Sequence, residues 1–172
     1  MNILVCIKQV PDTTEIKIDP VKHTLIREGV PSIVNPFDAC ALEMAVRLKE
    51  KEGGKVVVIS MGPAQAKNAL KECLAVGADQ AFLVTDRAFG GSDTLATSYI
   101  LSRAIEAVET KTGEKFDLIF CGKQAIDGDT AQVGPEIAEH MDLPHVTLAT
   151  AVEMADGKLH VTRDTDEGHD LV

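Results

Sequence analysis

Residues Lys55–Thr85, KVVVISMGPAQAKNALKECLAVGADQAFLVT, decide the fold. They open on a β-rich run, Lys55–Ser60, that is apolar almost without a break. Met61-Gly62-Pro63 ends it, a helical pattern runs from about Ala64 to Val76 and stops at Gly77, and a second apolar run, Ala81–Thr85, follows. Short apolar runs of this kind, without strict alternation, are expected of strands covered on both faces. Two such strands joined through a helix form the parallel strand–helix–strand unit.

The same rhythm extends in both directions. Ile3–Val10 and Phe116–Cys121 are further strand candidates. Asn35-Pro36 opens a helix, with Asn as N-cap and Pro at the first helical position. Ala41, Met44, Ala45 and Leu48 then recur at helical spacing, and Gly53 closes the segment. Another helix begins near Ser92, carries Thr97, Ile100, Leu101, Ala104, Ile105 and Val108 on one face, and ends before Gly113. A shorter one covers Glu136–Met141, with Pro135 near its start. Alternation of this kind predicts an α/β fold of three layers, a mostly parallel sheet with helices on both faces. Two segments depart from it as hairpins. Thr14–Ile18 and Thr24–Arg27 flank Asp19-Pro20, and Thr147–Met154 and Lys158–Thr162 bracket Asp156-Gly157. Asp164–Val172 reads as a charged tail.

Bulk properties narrow the function. A length of 172 residues suits one domain, 1–172. With no Trp, one Tyr and five Phe, the core must be aliphatic. A formal charge of −10 repels a phosphate backbone, and no basic run is interleaved with aromatics, so nucleic acid is excluded as a partner. Cys6, Cys40, Cys73 and Cys121 form no C-x-x-C and lie near no His at metal spacing, so no metal is expected and the setting reads as reducing and cytoplasmic. Cys6 and Cys121 are expected to pack as small hydrophobes. Met1–Val10 is too short, and wrongly flanked by Lys8 and Pro11, for a signal peptide, and no run reaches membrane-spanning length, so membrane insertion is not expected.

Ligands of parallel α/β sheets bind beyond the carboxyl ends of the strands. Lys8-Gln9-Val10-Pro11 follows the first strand, Met61-Gly62-Pro63 the second, Asp86–Thr94 the third and Gly122–Thr130 the fourth. The fourth connection is the most unusual, for Gly122–Pro135 holds three Gly, one Lys, two Asp and one Thr. Gly122 and Gly128 permit close backbone approach to a ligand. Asp129 or Thr130 can cap the next helix, leaving main-chain N–H groups for a phosphate, and the two Asp can accept from ribose hydroxyls. The alternative is a surface loop of ordinary turn residues. Gly90-Gly91-Ser92-Asp93 echoes the phosphate loop of ATP pyrophosphatases but follows the third strand rather than the first, and reads equally as a Gly-rich turn with a Ser N-cap. Neither G-x-x-x-x-G-K-[ST] nor G-x-G-x-x-G is present. The five His are scattered and expected at the surface, and no G-x-S-x-G elbow occurs. No catalytic side chain is predicted, which leaves bond-making chemistry to a cofactor.

Val5-Cys6-Ile7-Lys8-Gln9-Val10-Pro11-Asp12, Val34-Asn35-Pro36-Phe37-Asp38, Ser60-Met61-Gly62-Pro63 and Cys121–Gly134 occur in order and together resemble the beta subunit of electron transfer flavoprotein. The resemblance spans essentially the whole chain, and Gly122-Lys123-Gln124-Ala125-Ile126-Asp127-Gly128-Asp129 carries most of its specificity. It implies a Rossmann-like adenine-nucleotide-binding fold and a heterodimer with an alpha subunit that holds the electron-carrying FAD. In that family the beta subunit binds AMP, or a second FAD in electron-bifurcating members. Carried over by position, the cofactor contacts are Cys6, Asn35, Pro36, Phe37, Asp38, Met61, Gly122, Lys123, Gln124, Ala125, Asp127, Gly128, Asp129, Thr130, Ala131, Gln132 and Val133. Asp86–Thr97 resembles the bifurcating branch, which adds Asp93, Thr94 and Thr97 and favours FAD over AMP. Such a complex takes an electron pair from NADH, sends one electron toward ferredoxin or flavodoxin, and sends the other through the alpha flavin to an acyl-CoA dehydrogenase. Family members continue beyond the point matching residue 172, so the chain reads as a nucleotide-binding domain lacking the family's C-terminal region. Two other readings remain open from the residues themselves: a stand-alone adenine-nucleotide module like universal stress proteins, and an ATP-using enzyme of the pyrophosphatase type.

Overall fold

The computed structural model describes residues 1–12 and 31–172. The hairpin read around Asp19-Pro20 lies outside them. In chain order the elements are β1 (Asn2–Cys6), β2 (Gln9–Pro11), β3 (Ser32–Val34), α1 (Pro36–Glu52), β4 (Lys55–Met61), α2 (Lys67–Val76), β5 (Gln80–Val84), α3 (Thr94–Thr112), β6 (Leu118–Cys121), α4 (Val133–His140), β7 (Ala149–Ala155), β8 (Lys158–Thr165) and β9 (Gly168–Leu171).

β1, β4, β5 and β6 form one parallel sheet in the order β5-β4-β1-β6. Side chains alternate along each strand, and here both sets are buried. Ile3, Val5 and Ile7 with Val56 and Val58 pack under Leu42, Ala45, Leu48 and Leu70 of α1 and α2. Leu4 and Cys6 with Val57 and Ile59 pack under Leu101, Ile105 and Ile137 of α3 and α4. Each such aliphatic side chain contributes about 1.5–3 kcal/mol when fully buried. This two-sided burial is why the strands read as unbroken apolar runs, and it yields the three-layer, Rossmann-like arrangement that the pattern predicted.

The run Ile3–Val10, expected as one strand, is two. Beyond Ile7 the Lys8 N–H goes to the Asp38 carboxylate at 2.7 Å, and the Lys8 carbonyl accepts from Asn35 N at 2.8 Å. These groups at the entry of α1 intercept the ladder, and the chain turns off to pair as β2 with β3. The segment Asp164–Val172, expected as a charged tail, instead extends β8 and adds β9, so that β7, β8 and β9 form an antiparallel sheet. Its Val152, Met154 and Leu159 rest against the α1 side of the core. No helix among the described residues is long and apolar enough to cross a membrane.

Candidate functional site

The chain passes from β1 outward to β4 and β5, then returns to β6 on the other side of β1. Right-handed crossovers therefore place α1 and α2 on one face and α3 and α4 on the other. Between β1 and β6 the outgoing connections part toward opposite faces, and the crevice left at their carboxyl ends is the switch point where such sheets take ligands. A cleft of about 970 Å³ opens there and runs across to the connection that follows β5.

Every residue expected at the cofactor lines this cleft except Pro36 and Phe37. Pro36 is the exposed first residue of α1. Phe37 is half-buried, its backbone against Gly122. The cleft thus gathers Cys6 from β1, Asn35 and Asp38 from the entry of α1, Met61 from β4, the loop from Gly122 to Val133, and Asp93, Thr94 and Thr97 from α3. Lys8, Thr85 and Arg87 also line it and were not among the expected contacts. The available signal was their place, each standing just beyond the carboxyl end of a strand.

Asn35 was read as the N-cap of α1. It holds that position, but its buried side chain makes no capping hydrogen bond. Its amide instead donates to Gln124 O at 2.8 Å and accepts from Ile126 N at 3.2 Å, clamping the loop after β6 onto the entry of α1. Gly122 was expected to admit a ligand. Its close neighbour is protein: a Cβ there would lie 2.7 Å from Asp38 N and from Phe37 C and would strike the Asp38 carboxylate. Gly128 meets nothing within 4 Å.

Neither Asp129 nor Thr130 caps α4. Positive φ at Asp129 (52°) and Ala131 (54°) turns the chain so that the helix starts at Val133, with Gln132 in the cap position and making no side-chain bond. Asp129 accepts from Gln124 Nε2 at 2.7 Å instead. The first N–H groups of a helix have no internal partners, so those of Val133 and Gly134 remain available to a ligand anion. At α3 the cap is Asp93, which accepts from Ala96 N at 2.8 Å, while Ser92 Oγ donates to Phe89 O.

Lys8 spans the mouth of the cleft to Asp127 at 2.6 Å. Beneath it, burial pushes the Asp38 carboxyl up to about 6, against the pull of Lys8 N–H, the Asn35 side chain, Gly122 N–H and the Lys8 ammonium. The Cys6 thiol is held well above its usual range by its hydrogen bond to Cys121 and by burial. Cys6 and Cys121 both line the cleft, Cys6 as a neutral thiol. Among the described residues no cluster of His, Cys, Asp and Glu is arranged to hold a metal.

Fold and cleft together define a doubly wound α/β protein of Rossmann-like build with its crevice at the switch point. The electron transfer flavoprotein domain matches residues 22–171, and the chain belongs to the electron transfer flavoprotein family. It is 60% identical over 172 residues to the electron transfer flavoprotein subunit beta of Thermoanaerobacterium thermosaccharolyticum, covering 100% of this chain and 64% of that protein. It is 53% identical over 173 residues to the caffeyl-CoA reductase-Etf complex subunit CarD of Acetobacterium woodii, with the same two coverages. Protein FixA of Azotobacter vinelandii is 51% identical over 175 residues, covering 100% of this chain and 62% of its own length. The chain therefore spans about 64% of the length of the curated relatives it matches. This kinship with beta subunits disfavours the stand-alone nucleotide module.

Proposed function

We propose that the chain is the nucleotide-binding part of an electron transfer flavoprotein beta subunit, with FAD rather than AMP in the switch-point cleft. The observation that carries this is the cleft's extent. At about 970 Å³ it lies at the top of the ~300–1,000 Å³ range of small-molecule and cofactor sites. It joins the loop from Gly122 to Val133 with Asp93, Thr94 and Thr97 in one space. The residues fit such a group: the uncapped start of α4 and the Lys8 ammonium suit a pyrophosphate, while Cys6, Met61 and Thr97 give a mixed apolar and polar wall for a ring.

Bound there, a flavin supplies the ability to accept an electron pair and release electrons singly. The protein's own groups bind it, orient it and set its environment. In this reading the chain works with an alpha subunit, takes electrons from NADH and passes them by bifurcation to ferredoxin or flavodoxin and to an acyl-CoA dehydrogenase. The relative whose name joins an Etf complex to caffeyl-CoA reductase supports a CoA-thioester enzyme as partner. The test is to co-express the chain with an alpha subunit and count the nucleotides released on denaturation. Two FAD per heterodimer are expected; one FAD and one AMP would reject FAD at this site.

A further inference from the structure

Thr94, the first residue of α3, lines the cleft, and its hydroxyl is already committed. Its Oγ1 donates to Glu136 Oε1 at 3.1 Å, from α3 across to the first turn of α4. The other carboxylate oxygen of Glu136 is buried and has no partner among the described residues. An unpaired buried carboxylate oxygen costs stability, so holding Thr94 in place is a better account of Glu136 than the strength of the α3–α4 contact. A hydroxyl has one hydrogen and two lone pairs, and a carboxylate oxygen has no hydrogen to return. With its hydrogen turned to Glu136, Thr94 offers the cleft lone pairs only.

We infer that Glu136 is a positioning residue that fixes Thr94 as a hydrogen-bond acceptor toward the ligand, so that the cleft prefers a ligand presenting an N–H there. This rests on the flavin reading of the site. Reduction of an isoalloxazine by two electrons and two protons converts ring nitrogens from acceptors into N–H donors, so a redox-active ring nitrogen held at Thr94 would meet its lone pairs as an acceptor when oxidised and as a donor when reduced. With such a nitrogen there, the Glu136–Thr94 pair would favour the reduced over the oxidised ring and raise the flavin's midpoint potential.

The test is a spectroelectrochemical titration of the FAD held by this chain in its complex with an alpha subunit, with the Kd of oxidised FAD measured alongside. Glu136→Ala frees the hydroxyl to donate, and the preference for the reduced form should fall about tenfold, the scale of one net hydrogen bond. For a two-electron couple that is a midpoint lower by about 30 mV. Thr94→Val should give a shift of the same sign and size, and Glu136→Ala added to Thr94→Val should add nothing. Glu136→Gln keeps an acceptor oxygen and should stay near the parent value. An unchanged midpoint in Glu136→Ala, or a further shift in the double variant, overturns the inference while leaving the flavin site intact. Failure of the parent chain to hold FAD when co-expressed with an alpha subunit overturns the flavin reading, and this inference with it.

Discussion

Raising the pH from 4 to 7 is expected to weaken this fold through one carboxyl group, Asp38. Burial raises its pKa from an ordinary 3.8 to about 6, even though Lys8 N–H, the Asn35 side chain, Gly122 N–H and the Lys8 ammonium oppose the shift. The folded protein therefore holds a proton at Asp38 where the unfolded chain has released it. The group's contribution is complete below the unfolded value and is lost as the pH rises through about 6. At ~1.36 kcal/mol per pKa unit, the loss between pH 4 and pH 7 is roughly 2–3 kcal/mol. With m near ~2 kcal/mol/M this moves the urea midpoint by about 1–1.5 M.

Asp79 provides a contrast in sign. Desolvation alone would raise its carboxyl, but the Val56 N–H and the Lys49 side chain outweigh that and hold it low. Its stabilisation fades only as the pH falls below the ordinary carboxylate range, so the two windows do not overlap. Charge repulsion in a protein of formal charge −10 also grows with pH, and for that reason the assay compares the parent with Asp38→Asn. The parent's unfolding free energy relative to Asp38→Asn should fall by roughly 2–3 kcal/mol from pH 4 to pH 7. A difference that stays flat over that range refutes the argument that Asp38 is the group responsible.

Three further outcomes follow from the same region. Gly122→Ala drives a methyl into Asp38 and Phe37 and should cost about 1–3 kcal/mol of unfolding free energy in urea denaturation. Asn35→Ala leaves Gln124 O and Ile126 N unpaired; a loss of about 1–3 kcal/mol, with faster amide exchange at residues 124–126, is expected by mass spectrometry. Lys8→Gln breaks a half-exposed ion pair, so thermal stability should change by less than about 1 kcal/mol. The Kd for FAD should nevertheless rise, with a shallower dependence on salt, in an equilibrium titration.

The sheet and its helices were legible because the pattern that reports them is the one that stabilises them. Val56, Val57, Val58 and Ile59 are apolar in succession because successive side chains enter two different buried layers. The place of the cleft followed from topology, and the family resemblance named a large part of its lining. What stayed hidden were the partners of polar side chains. Asn35 before Pro36 has the composition of a cap in any sequence. Whether its amide bonds its own helix or a loop 89 residues away depends on where β6 ends, which no local pattern encodes. The caps of α4 were misplaced for a related reason. Asp129 and Ala131 adopt positive φ, which Ala disfavours, and only the surrounding contacts hold that conformation. Glu136 was read only as the start of a helix, since its bond with Thr94 comes from the approach of α3.

The polar contacts under the cleft share one location, the junction where β1 and β6 part company. A parallel sheet holds its strands by backbone bonds, but at the switch point the chain leaving β1 and the chain leaving β6 have no ladder between them. Asp38 accepts from Lys8 N on the first path and lies in contact with Gly122 on the second. Asn35 accepts no cap and instead bonds Lys8 O through its own N–H and the 124–126 backbone through its amide. The entry of α1 thus substitutes for the missing ladder, joining two loops that would otherwise move independently. A ligand gripped by both loops meets walls already set at a fixed separation, so less ordering entropy is lost on binding. The raised pKa of Asp38 is the cost of placing that junction where water is excluded.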